Sequence, residues 1–151
     1  MAAMKLLLGA DVLVDFLDEG ESFDEARLLL AMGYVGEASL WVPATQLADL
    51  ARQAADGKKK KAAAQIARLK EITAFVNVCS FGEDELAAVL DAPVGEGDAA
   101  LVNAFARDLR VDAVITNEKL EGVRAAAYTP KAFFSYLKNE KGLDYEAISL
   151  A

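Results

Sequence analysis

The sequence predicts an α/β protein of three layers, a parallel sheet with helices on both faces. Two observations predict it. Short apolar runs rich in Leu, Val and Ile recur along the chain, and stretches with helical apolar spacing separate them. Strands joined through helices must run parallel, because each return to the same sheet edge needs a crossover. A chain of 151 residues, 54% of them apolar, is long and apolar enough to bury a core. That length suits a single domain over 1–151.

Lys5–Leu8 is a short apolar run stopped by Gly9, which reads as a buried strand. Val12–Leu17 follows as a short helix. Ser22-Phe23-Asp24-Glu25 has the form of a capping box, with a helix to about Met32 and stop signals at Gly33 and Gly36. Ser39–Val42 reads as a strand closed by Pro43. Thr45–Ala55 is helical and Gly57 breaks it. Lys58–Ala74 is a second helix, with Ala62, Ile66, Leu69 and Thr73 on one face. Phe75–Cys79 is strand-like. Ser80-Phe81-Gly82-Glu83 has the form of another capping box and opens a helix to about Asp91. Ala92–Gly97 is a Pro/Gly loop. Asp98–Arg110 is a helix with Leu101, Val102, Phe105 and Leu109 inward. Val111–Thr116 and Ala125–Tyr128 read as strands. Thr129 and Pro130 suit the N-cap and N1 positions of a last helix with Phe133, Phe134 and Leu137 on its apolar face.

Composition removes several kinds of chemistry. The chain has no histidine, which excludes Ser-His-Asp and Cys-His catalysis and most zinc sites. One cysteine, Cys79, excludes intramolecular disulfides and sites with several cysteines. At the end of an apolar strand it reads as a small core residue. Trp41, between Leu40 and Val42, reads as core too. A net charge of −8 excludes a uniformly basic nucleic-acid binder. No stretch approaches the roughly 18 apolar residues of a membrane span. Asp11 and Asp15 follow the short N-terminal apolar run closely, which makes it a poor signal peptide. A cytoplasmic location is the expectation.

Gly95-Glu96-Gly97-Asp98-Ala99-Ala100 matches G-x-G-x-x-A, but a dinucleotide fingerprint needs a strand directly before it. Leu90-Asp91-Ala92-Pro93-Val94 is a helix end and a loop, so the match reads as a flexible helix entry. Lys58–Lys61 is the strongest basic run. Residues 51–71 carry +5, which leaves −13 for the rest. Four consecutive helical positions point all round the axis, so solvation explains the run well, and RNA-backbone contact by Lys58, Lys59, Lys60 and Lys61 is the functional alternative.

Ligands of open α/β sheets bind beyond the carboxyl ends of the strands. Asp11, Asp49, Asp98 and Glu118 all fall just after such ends or in the helices that follow. Gathered carboxylates repel unless a cation neutralises them, and Mg²⁺ or Mn²⁺ does so with oxygen ligands. Such a metal serves phosphodiester hydrolysis. Four unrelated surface acids are the alternative, in a chain with 24 of them.

These residues also carry a resemblance. Leu6-Leu7-Leu8-Gly9-Ala10-Asp11-Val12-Leu13-Val14-Asp15-Phe16-Leu17 resembles the opening of PIN domains, L-L-D-T-N-V-L-L-D-F-L. Thr45-Gln46-Leu47-Ala48-Asp49-Leu50 is similar to the second motif, T-x-x-x-(D/E)-L. Asp98-Ala99-Ala100-Leu101 is similar to the third, D-A-L. Ala113-Val114-Ile115-Thr116-Asn117-Glu118 is similar to the fourth, v-v-T-N-D, and Thr129-Pro130-Lys131-Ala132-Phe133 to the T-P-E-E-F tail of one subgroup. The likeness spans nearly the whole chain.

The resemblance implies a five-stranded parallel sheet, an acidic pocket and, in many members, metal-dependent RNA cleavage. VapC-type toxins of toxin–antitoxin pairs are among those members. It puts Asp49, Asp98 and Glu118 on the acidic positions, with Glu121 as a less direct substitute for Glu118. Asp98, Glu118 and Asp11 are then the expected ligands of Mg²⁺ or Mn²⁺. The partners it implies are RNA, a small antitoxin-like protein and a second copy in a homodimer. One departure stands out. The first acid of the family falls on Gly9 and the neighbouring Thr on Ala10, while Asp11 takes the usual Asn position. Asp11 either substitutes for the lost acid or caps the helix after the first strand. Two functions stay open, an endoribonuclease with an altered acidic site and a degenerate domain that binds RNA or protein without cutting. A receiver- or dinucleotide-type phosphate binder is a weaker third.

Overall fold

A computed structural model describes residues 3–145. Five strands form one sheet: β1 (Met4–Leu8), β2 (Ala38–Pro43), β3 (Asn77–Cys79), β4 (Ala113–Ile115) and β5 (Ala127–Tyr128). Its order is β3-β2-β1-β4-β5 and every pairing is parallel. Among the described residues seven helices accompany them in chain order: α1 (Ala10–Leu17), α2 (Phe23–Val35), α3 (Ala44–Ala55), α4 (Lys59–Thr73), α5 (Glu83–Leu90), α6 (Gly97–Leu109) and, after the last strand, α7 (Pro130–Lys141). The expected α/β/α architecture is present.

Alternation along the strands builds the layers, because successive side chains point to opposite faces. Leu6, Leu8, Leu40, Val42 and Ile115 face one core, completed by Val12 and Leu13 of α1, Leu29 of α2, Leu69 and Ile72 of α4, and Phe133 and Leu137 of α7. Leu7, Cys79 and Val114 face a smaller core with Val102, Phe105 and Ala106 of α6. Cys79 is buried, and Trp41 is half-buried against this smaller core, its indole N–H donating to Ser39 Oγ at 3.0 Å. β1 lies at the centre, and the chain passes from β2 and β3 on one side to β4 and β5 on the other. The switch point therefore opens at the carboxyl ends of β1 and β4.

Several local expectations are corrected. α2 runs through Gly33 to Val35 and stops at Gly36, which has φ 84°. Gly33 stays inside the helix for contact, since a Cβ there would come within 2.5 Å of Leu40 Cδ1. Ser22 precedes α2 without a side-chain cap, because its backbone is not extended (φ −100°, ψ 27°) and its hydroxyl instead lies 3.5 Å from Asn117 Oδ1. The box before α5 is shifted: Gly82 is the N-cap, and only the Glu85 carboxylate contributes, accepting from Gly82 N–H at 3.1 Å. On α4 the apolar row runs through Ile66, Leu69 and Ile72, whereas Thr73 is exposed and donates to the Lys70 carbonyl at 3.1 Å. The last helix matches its signals, with Thr129 Oγ1 accepting from Ala132 N–H at 3.1 Å and Pro130 opening the first turn.

Candidate functional site: an acidic pocket with a displaced carboxylate

A cavity of about 310 Å³ opens at the switch point. Gly9 just beyond β1 and Ala10 and Asp11 at the start of α1 line it, with Gln46 and Asp49 of α3, Asp98 of α6, and Thr116 and Glu118 beyond β4. The walls are apolar, from Leu7, Val14, Leu50, Val102 and Phe105 among others. The four acids singled out in the sequence thus meet at one pocket. Glu121 is exposed and lies outside its lining, so Glu118 is the acid this strand end presents.

The floor is organised around Gly9. Its N–H donates to the Ile115 carbonyl at 2.9 Å, which ties the end of β1 to β4. Gly9 is the N-cap of α1 but has no side chain to cap with. Gln46 supplies an acceptor from α3 instead, its Oε1 taking the Ala10 N–H at 2.9 Å. The Gly9 backbone is extended (φ −70°, ψ 148°), a conformation open to any residue. The glycine leaves room for the Asp11 side chain. A Cβ at this position would overlap Asp11 Oδ1 and stand 3.0 Å from Thr116 Oγ1. The Asp11 carboxylate therefore occupies the volume that a side chain at 9 would need.

Asp11 sits in the first turn of α1, where its charge suits the helix dipole. It does not cap that helix. Its Oδ1 accepts from the Thr116 hydroxyl at 2.9 Å and its Oδ2 from the Asn117 N–H at 2.5 Å. Thr116 Oγ1 in turn accepts from Glu118 N–H at 3.1 Å. The Asn117 side chain donates to Asp15 Oδ2 at 2.7 Å, one turn further along α1. Thr116, Asn117 and Gln46 belong to the structure of the site, although sequence reasoning gave them no role. Thr116 and Asn117 stood inside the fourth motif and Gln46 inside the second, so the signal was present.

Asp49 is exposed and pairs with Arg52 on the next turn of α3 at 3.7 Å. Asp98, in the first turn of α6, and Glu118 are exposed as well. The donors are oxygens, the right type for Mg²⁺ or Mn²⁺. Among the described residues no group of three or more His, Cys, Asp or Glu side chains forms a ready-made metal cluster, whereas Mg²⁺ needs only one or two protein carboxylates completed by waters. Asp11 already spends both oxygens on Thr116 and Asn117. The expected ligand set of Asp98, Glu118 and Asp11 lines one pocket without closing into one site.

A second cleft of about 210 Å³ adjoins the first, sharing Val14, Leu50 and Gln53 with it. Lys61 lines this cleft and pairs with Asp18 at 3.8 Å, while Gln65 Nε2 donates to the same Asp18 Oδ1 at 2.7 Å. Lys58, Lys59 and Lys60 stand exposed at the adjacent α3–α4 tip. Burial pushes the Cys79 thiol up to about 11, which keeps it neutral and unreactive. Gly95 lies in a loop at φ 89° and Gly97 opens α6 with no strand before it, as expected of a simple helix entry.

No protein-family model matches the sequence, and no curated protein matches it either. Solved structures do match its fold. VapBC2 from Rickettsia felis, bound to a DNA fragment from its promoter, gives a TM-score of 0.60 at 16% identity, covering 83% of this chain and 98% of that one. FitAB bound to an IR36 DNA fragment gives 0.59 at 15% identity, covering 83% and 94%. VapBC-1 from nontypeable Haemophilus influenzae gives 0.53 at 15% identity, covering 85% and 99%. At these identities the likeness speaks for the fold, and that fold is PIN-like. Among the described residues no helix is long and apolar enough to cross a membrane.

Proposed function

We propose that this chain is the PIN-fold component of a toxin–antitoxin-type pair, altered so that it binds RNA through the lysines beside its acidic pocket without a preformed metal centre for cutting. One observation carries the reading: the Asp11 carboxylate fills the space over Gly9 and is tied off by Thr116 and Asn117. A carboxylate held by two donors is a clamp between α1 and the β4 end, and freeing it for a cation costs those hydrogen bonds. The structural neighbours named for VapBC and FitAB pairs support a small antitoxin-like protein as partner. A homodimer and a cytoplasmic setting belong to the same proposal.

Metal-dependent RNA cleavage is the second reading, favoured by Asp49, Asp98 and Glu118 lining the same pocket. Mn²⁺ titration separates the two, with melting temperature and RNA integrity both followed. The parent is expected to show little Mn²⁺ stabilisation and no cleavage. Gly9→Asp alone would set a second carboxylate against that of Asp11, so the informative variant is Gly9→Asp with Asp11→Asn, which takes away the like charge, weakens the bonds that hold side chain 11 over position 9 and restores the family's usual pair. That variant is expected to gain Mn²⁺-dependent stability, because a ligand that binds only the native state raises its melting temperature. Cleavage by the parent that disappears in Asp11→Ala would establish the nuclease instead.

A further inference from the structure

α5 differs from the other six helices. None of its residues is buried, and it enters neither core. It leans on α6 through one side, where Glu85, Ala88 and Val89 are partly covered and Val89 Cγ1 reaches to within 3.7 Å of a Cβ placed on Gly97. Its other side carries Leu86 and Leu90, four residues apart and hence on one face. Leu90 is 73% exposed and Leu86 45%. Phe81 before the helix and Val94 after it are exposed too. A helix with an apolar row turned to water lacks a partner.

Charge says what that partner is. From Glu71 to Ala106 the chain has seven acids and no Lys or Arg. Glu83 and Asp84 are exposed at the start of α5 and Asp91 at its end, bracketing Leu86 and Leu90. Arg107 and Arg124 line the cleft on the Ala88 and Ala92 side of the helix, which Asp91 also lines, and Arg107 pairs with Asp108 at 3.4 Å. The apolar row is thus bordered by carboxylates. A second copy presenting the same face would set acids against acids, so a two-fold contact through α5 is disfavoured.

We infer that the exposed apolar side of α5, Leu86 and Leu90 with Phe81 and Val94 in the flanking segments and Glu83, Asp84 and Asp91 around it, docks a basic amphipathic helix of another protein. Apolar side chains of that helix cover Leu86 and Leu90, and its Lys or Arg side chains meet the bordering carboxylates. This surface lies apart from the acidic pocket, so the inference stands whether or not RNA is cut there.

The test uses the full chain and a designed Leu–Lys amphipathic helical peptide as probe, with a Leu–Glu peptide of the same pattern as control. Binding is read by anisotropy across a salt series, with amide shift mapping by NMR. The Leu–Lys peptide is expected to bind and to perturb amides over 81–94. Leu86→Ser with Leu90→Ser should weaken it by about tenfold or more, and Glu83→Gln with Asp84→Asn should weaken it less while flattening the salt dependence. These positions are exposed, so an unchanged melting temperature serves as the folding control. Equal binding by parent and variants, binding of the Leu–Glu peptide, or shifts centred on the acidic pocket would overturn the inference. So would a parent dimer that dissociates on Leu86→Ser with Leu90→Ser, since a second copy would then own this face.

Discussion

Asp11 and Gly9 form a pair whose members make sense only together. Thr116 is buried, and its hydroxyl donates to Asp11. Asp11→Ala removes that acceptor and the one for Asn117 N–H, so a loss of about 1–3 kcal/mol in urea unfolding is expected. Gly9→Ala puts a methyl where Asp11 Oδ1 lies and displaces the same carboxylate, although the backbone itself accepts alanine. The two losses should not add, since both break one set of hydrogen bonds. A double-mutant cycle checks this, and additive losses would show that Asp11 makes no clamp. Cys79 permits a pH test. Its thiol is raised from 9.0 to about 11, so the native state holds that proton more tightly than the unfolded chain does. The resulting stability is present below 9.0 and lost as pH rises toward about 11, and Cys79→Ala should remove that part of the alkaline slope. The sequence showed that an acid was missing at 9 and another present at 11. It could not show that the second occupies the volume over the first, because the bonds that place it come from residues more than a hundred positions away.

At the scale of elements, signals confined to one turn were legible where the backbone met their requirements. Thr129 and Pro130 open α7 as read, and Thr129→Ala should cost about 1 kcal/mol in thermal or urea unfolding. Ser22 carried an equally good signal and does not cap, because Asn117 lies within its reach and its backbone is turned. The order of strands and helices was legible throughout, since apolar periodicity is a property of each segment alone. The lysine run is decided by neighbours. Lys61 pairs with Asp18, which leaves Lys58, Lys59 and Lys60 for the proposed RNA contact beside the cleft that joins the acidic pocket. Replacing those three with alanine should weaken single-stranded RNA binding and lower the salt slope by about 0.7 for each phosphate that is no longer neutralised. An unchanged slope would assign the run to solvation.

Across the whole molecule, burial is distributed unevenly, and local stability should follow it. β1 is paired on both sides, by β2 and β4, and Leu6, Leu7 and Leu8 are buried between the two cores. To expose the amides of Leu7 or Leu8 the sheet must come apart, which makes their hydrogen exchange report global unfolding. α5 is eight residues long, buries none of its side chains and packs chiefly on α6. A helix of that length is marginal without tertiary packing. Its amides should therefore exchange through a local opening that leaves the sheet intact, orders of magnitude faster than those of β1. Mild denaturant separates the two cases, because a local opening exposes little surface and depends weakly on denaturant, while global unfolding depends steeply. The expected result is a shallow slope for Ala87 to Leu90 and a steep one for Leu7 and Leu8, measured by native-state exchange across a urea series. Adding the Leu–Lys peptide should slow exchange in α5 and leave β1 nearly unchanged, since the ligand stabilises only the element it covers. Equal slopes in the two elements would place α5 inside the global cooperative unit, and its exposed leucines would then need no partner to hold the helix in place.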